Sequence, residues 1–126
     1  MHPDKHKNIF NLSPQDRYGY FIRKVADFEE VWLIHEKGQY VTLGENEEQI
    51  AIPVWPEKEF AKLMLMDDWK GYTVESMNVH DFVEWLDTLE GEGYKIAGFP
   101  GIDLKGVVVT ADEMKNHIIY ELQQSE

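Results

Sequence analysis

Residues 49–66 read Gln-Ile-Ala-Ile-Pro-Val-Trp-Pro-Glu-Lys-Glu-Phe-Ala-Lys-Leu-Met-Leu-Met, and the way this stretch divides decides the fold. Its first third is rich in β-formers, with Ile50, Ile52 and Val54 on one side, which predicts a strand over residues 49–54. Pro53 has no N–H to give a ladder, so its position must face solvent, sit at a bulge or lie at a sheet edge. Pro56 biases Trp55 to an extended backbone and suits the first turn of a helix, where Glu57 and Glu59 meet the positive end of the helix dipole. Strand therefore passes directly into helix. Phe60, Ala61, Leu63, Met64, Leu65 and Met66 make that second helix apolar around most of its circumference, which predicts heavy burial, and Asp67-Asp68-Trp69-Lys70-Gly71 ends it.

Upstream of this corner, Val31-Trp32-Leu33-Ile34 and Tyr40-Val41-Thr42-Leu43 flank Glu36-Lys37-Gly38-Gln39, the pattern of a β-hairpin. Glu45-Asn46-Glu47-Glu48 reads as a solvated turn. Ser13-Pro14-Gln15-Asp16 supplies an N-cap, a first-turn proline and an acid, opening a first helix that ends near Glu29. Tyr18, Phe21, Val25 and Phe28 form its inner stripe, with Arg17, Arg23, Lys24 and Asp27 on other faces. Downstream, residues 72–77 alternate as a strand and Asn78 caps a third helix with Val79, Phe82, Val83, Leu86 and Leu89 inward, closed by Gly91 or Gly93. Strands over 94–99 and 106–109 enclose a Gly/Pro loop, and Thr110-Ala111-Asp112-Glu113 is a capping box that starts a fourth helix running to about Gln124. The predicted order is αβββαβαββα, an α+β domain over residues 13–126 with a mainly antiparallel or mixed sheet packed with helices, preceded by a flexible head over residues 1–12.

A chain of 126 residues with 43% apolar side chains, four Trp, six Tyr and six Phe is long enough for a single well-filled core. It contains no cysteine, which excludes disulfides, thiolate nucleophiles and thiolate metal sites. Neither a signal-peptide core in the first twelve residues nor a membrane-length apolar run is present, which places the chain in the cytoplasm as an expectation and predicts no membrane partner. The net charge is −12, and four basic and seventeen acidic side chains between residues 27 and 92 put −13 there. Such a field opposes nucleic-acid binding and attracts a basic protein partner within a screening length of about 8 Å.

Val31-Trp32, Gly38, Pro53-Val54-Trp55-Pro56, Ala61, Gly71-Tyr72 and the segment 81–89 together resemble the small bacterial family catalogued as domain of unknown function 2750, over roughly residues 15–118. The strand–proline–helix pattern is more loosely similar to SseB-type domains, as an analogy of fold alone. The resemblance implies a fold and a bacterial cytoplasmic setting. It carries no activity, cofactor or catalytic residue.

The residues themselves point to no catalytic set. The acids fall in exposed turns and helix faces rather than in a buried pair, Ser13 is explained as a cap, and Ser76 lacks the glycines of a nucleophile elbow. His80, Glu84 and Asp87 share the outer face of the third helix at metal-ligand spacing, a face that any soluble amphipathic helix also shows. No metal and no cofactor is therefore expected. The strongest reading is a non-enzymatic, acidic protein-interaction module whose surface combines Pro53, Trp55, Pro56, Glu57 and Glu59 with nearby Trp32, Asp67 and Asp68. The alternative is a small-molecule-binding domain with an apolar pocket between the second helix and the sheet, lined by Phe60, Met64 and Trp32.

Overall fold

A computed structural model describes residues 8–44 and 50–124. The predicted turn over 45–48, the strand start at Gln49 and the first seven residues of the head lie outside the described residues. The chain runs α1 (Pro14–Phe28), β1 (Glu30–Glu36), β2 (Gln39–Tyr40), β3 (Ala51–Val54), α2 (Lys58–Leu63), a 3₁₀ turn (Asp67–Trp69), β4 (Thr73–Asn78), α3 (Val79–Glu92), β5 (Lys95–Gly98), β6 (Val107–Thr110) and α4 (Ala111–Gln124). This is the α+β order read from the sequence, with the strands in two three-stranded sheets instead of one: β2-β1-β4, wholly antiparallel, and β3-β5-β6, in which β3 and β5 are parallel.

The local signals act where the sequence places them. Ser13 accepts from the Asp16 amide at 3.1 Å, and Asn78 from the His80 amide at 2.8 Å. Gly93 closes α3 in the left-handed conformation at φ 83°. The capping box is reciprocal: Thr110 Oγ1 accepts from the Glu113 amide at 3.0 Å and Glu113 Oε1 accepts from the Thr110 amide at 3.2 Å. At the hairpin, Lys37 and Gly38 both hold positive φ, which matches the right-handed twist of the two strands they join.

Pro53 sits where its missing N–H costs nothing. The amides of Lys95 and Phe99 donate to Ile50 and Val54, so the even residues of β3 face β5 and the odd ones face away. On that outward side Ala51 exchanges two bonds of 2.7 Å with Leu43, and Trp55 exchanges two of 2.9 Å with Trp32. Pro53 lies between these bridges, at the gap in the seam that joins the two sheets. Behind the seam, α1 and α4 cover one face of β3-β5-β6. Phe21, Val25, Phe60, Phe82, Leu86, Ile96, Phe99, Met114 and Ile118 are fully buried there and around it.

Four expectations change. Phe28, read as the last residue of the inner stripe of α1, is 58% exposed, at the helix end beneath the Lys24 ammonium 5.1 Å from its ring. α2 is shorter than predicted: the helix stops at Leu63, and residues 64–66 lead into the 3₁₀ turn, leaving Leu63 and Met66 exposed instead of buried. Arg17, read as an outward face of α1, is 6% exposed. Its Nε donates to the Phe99 carbonyl at 3.1 Å, Nη1 to those of Phe10 and Leu12 at 3.0 and 2.6 Å, and Nη2 to that of Lys105 at 2.8 Å. A planar guanidinium satisfies several diverging carbonyls at once, and that satisfaction is what allows a charge to be buried without a carboxylate. Residues 8–10, part of the predicted head, form a helical turn with Ile9 buried and Phe10 edge-on to Phe60 and Phe99 at 5.1 and 5.6 Å.

A groove between two strained segments

The segment 99–106 returns the chain from β5 to β6 in an unusual conformation. Phe99 (φ 57°) and Leu104 (φ 64°) are both in the left-handed region, where a side chain of this bulk is strained. Several bonds hold the segment there. The Gly101 amide donates to the Lys105 carbonyl at 2.9 Å, the Leu104 amide to that of Gly101 at 2.8 Å, and the Lys105 amide to Asp103 Oδ1 at 3.0 Å, while Arg17 grips it from behind. The conformation lifts Ile102, 55% exposed, and Leu104, 44% exposed, out into solvent. Opposite, Asp67 (φ 52°) starts the 3₁₀ turn and Met66 stands 41% exposed.

Between these segments lies a hollow of about 370 Å³, walled by Met64, Met66 and Trp69 on one side and Ile102 and Leu104 on the other. Thr42, Leu43 and Gly44 also line it, and the exposed carboxylates of Asp67 and Asp68 stand on its rim. A second hollow, of about 510 Å³, continues from it: Leu43, Gly44 and Leu104 line both. Its remaining walls are Ala51, Lys95, Ala97, Lys105, Gly106 and Val108. Ala51, Lys95, Ala97 and Val108 share one face of the sheet by register, the face turned away from α1 and α4, and the alanines keep its surface low.

The residues expected to form a surface at the 53–56 corner take another place. Trp55 is 0% exposed. Pro53 and Pro56 are buried, Trp32 is half-buried, Glu57 is partly covered and Glu59 is exposed. Trp55 is extended between strand and helix as predicted, but its bridge to Trp32 sets it inside the seam between the sheets. There its Nε1 donates to the Pro100 carbonyl at 3.3 Å and its ring meets Trp69 edge-on at 6.3 Å. The corner thus props both walls of the groove from behind. Glu57 accepts from the Tyr20 phenol at 2.6 Å, which ties α1 to the start of α2; burial and this carboxylate both push the Tyr20 pKa up, so the phenol stays protonated. Of the alternative pocket's lining, Phe60 is enclosed in the core, Trp32 belongs to the seam, and Met64 reaches the groove. Ile102 and Leu104 carry no signal in periodicity; a Gly/Pro loop with two apolar residues among polar neighbours is the only hint the sequence holds.

Other polar clusters are tied up structurally. His80 turns to Glu29 at 3.2 Å and Asp87 to Lys115 at 2.8 Å, so the His80, Glu84 and Asp87 face does not converge. Among the described residues no group of three or more His, Asp or Glu is placed to hold a metal ion. The Tyr18 hydroxyl lies 2.6 Å from His117 Nδ1; burial, aided by the charge of Glu113, raises the Tyr18 pKa, so the phenol stays protonated. No helix among the described residues is long and apolar enough to cross a membrane.

No curated protein and no solved structure matches the chain, so the looser likeness to SseB-type domains adds nothing to the account. The profile of the family described as "Protein of unknown function (DUF2750)" matches residues 18–118. That span takes in the 53–56 corner, the 3₁₀ turn and the strained loop, and the chain belongs to the DUF2750 family.

Proposed function

We propose that this protein is a non-enzymatic binding domain of the bacterial cytoplasm that receives an extended segment of a basic protein partner in the groove. One observation carries the reading: three large apolar side chains that the core does not use, Met66, Ile102 and Leu104, converge on one hollow rimmed by Asp67 and Asp68. Two of the segments that hold them there contain backbone in the left-handed region, and strain of this kind persists where the surroundings impose it. Exposed apolar surface rimmed by charge is the usual mark of a docking site, and the sign of the rim favours lysine or arginine next to the apolar anchors. In this reading Trp55, Pro53 and Pro56 act by holding the walls, with Glu57 and Glu59 adding to the acidic field on the same side of the sequence.

The hollow's 370 Å³ also falls in the size range of small-molecule sites, which keeps the second reading, a small apolar ligand seated against Met64. The open form of the groove favours a peptide. Calorimetric titration with an amidated lysine- and leucine-containing hexapeptide tests this. Met66→Ser and Ile102→Ser are expected to weaken binding at least about tenfold each, the loss of an interface anchor, while Arg23→Gln on α1 leaves it unchanged. Equal binding by all four proteins would overturn the proposal.

A further inference from the structure

The two hollows are continuous but carry opposite charge, and this deepens the reading just proposed, on which it rests. The rim of the first is Asp67 and Asp68. The second contains Lys95 and Lys105, two of the three basic residues that follow residue 92, in a chain of net charge −12. Among the described residues neither lysine is within ion-pair distance of a carboxylate, although the charge of Lys95 reaches Glu113 and helps to lower its pKa. Between these ends the lining, among the described residues, is apolar or small: Leu43, Gly44, Leu104, Ala51 and Ala97. A trough that is acidic at one end, apolar along its length and basic at the other fixes the polarity of what lies in it.

We infer that the occupant is the C-terminal tail of the partner, its α-carboxylate seated between Lys95 and Lys105 and an upstream lysine or arginine at Asp67 and Asp68. The backbone of β6 supplies a third contact. The amides of Lys95 and Phe99 are directed to β3, so Ile96 and Gly98 make the bonds to Val109 and Val107, and the peptide groups of Val108 face the open edge of the sheet. The Thr110 amide, next on that side, is taken by Glu113. Val108, itself 53% exposed and lining the second hollow with Lys95 and Lys105, is left with an outward N–H. Two cations and a backbone N–H suit a chain terminus, which has no side chain beyond its carboxylate to accommodate and needs none of the sheet edge past Val108.

The test uses one hexapeptide, Lys-Arg-Leu-Ser-Leu-Val, as the free acid, as the C-terminal amide, and as an amide extended by one aspartate, each titrated into the wild-type protein and into Lys95→Gln/Lys105→Gln. Both lysines are exposed, so the variant is expected to fold, and its circular dichroism checks that. The free acid is expected to bind the wild type about tenfold more tightly than either amide, and this preference is expected to vanish in the variant. Asp67→Asn/Asp68→Asn, chosen because asparagine tolerates the positive φ of residue 67, is expected to weaken acid and amide by the same factor. Acid and amide binding equally, with the Met66→Ser and Ile102→Ser losses intact, overturns the terminal-carboxylate inference and leaves the groove reading standing. The aspartate-extended amide binding as tightly as the acid also overturns it, assigning the anion to a side chain. Failure of all three peptides to bind overturns both.

Discussion

Leu104 holds a backbone conformation that suits glycine or asparagine far better than a branched aliphatic residue, and it exposes its side chain while doing so. Stability does not explain the choice, so relieving the strain is expected to leave the fold intact and remove the function. Leu104→Asn is expected to match or exceed the wild type in urea denaturation, within about 1 kcal/mol, while weakening peptide binding. Arg17 is the opposite case, a residue that serves the fold. Replacing it by methionine leaves the carbonyls of Phe10, Leu12 and Phe99 without this donor, while that of Lys105 keeps the Gly101 amide, and at about 1–3 kcal/mol for each group left dry the loss is expected to reach at least about 3 kcal/mol. Arg17→Lys is expected to recover only part of it, since one ammonium cannot reach four diverging carbonyls. Gly106 has a steric role: a Cβ there would stand 2.9 Å from the Pro100 Cα, a backbone atom that cannot yield. Neither Arg17 nor Gly106 is legible from spacing alone. Arg17 occupies a helix position that reads as solvent-facing, and its partners come from residues 82 and 88 positions away as well as from its own neighbourhood.

Elements were the level at which local chemistry spoke most clearly. Ser13, Asn78, Gly93 and the Thr110–Glu113 box are self-contained signals that need only neighbours within three residues, and each stands where it was read. α2 was overextended because apolar residues continue to Met66, and nothing local distinguishes a helix buried all round from a helix followed by an exposed wall. The capping box also gives a pH prediction. The Thr110 backbone N–H, then its hydroxyl, favour the ionised form of Glu113 and lower its pKa. A lowered folded-state pKa means the contribution to stability is present above the ordinary glutamate value and is lost as pH falls through the folded one. The stability gap between wild type and Glu113→Ala is therefore expected to be constant near neutrality and to close in acid, as read by urea denaturation at about pH 7 and about pH 3. Thr110→Ala, which removes the other half of the box, is expected to cost about 1 kcal/mol.

At the scale of the whole molecule, the α+β class and the element order were legible, whereas the split into two sheets was not. That split depends on Trp55 bridging Trp32 and on Pro53 marking the gap, pairings between residues some twenty positions apart that periodicity does not encode. The same long-range geometry displaced the expected site. The sequence drew attention to Trp55 as a surface anchor; the fold encloses Trp55 and presents Met66, Ile102 and Leu104 in front of it. What survives is the association between that corner and an acidic neighbourhood, now specified as Asp67 and Asp68 on the rim of one end of a groove. Chemical-shift mapping of the ¹⁵N-labelled protein during titration with the free-acid hexapeptide tests this account most directly. Saturable shifts centred on residues 42–44, 64–69 and 101–108 are the predicted result; shifts confined to the α1–α4 face around Tyr18 and His117, or none that saturate, would contradict it.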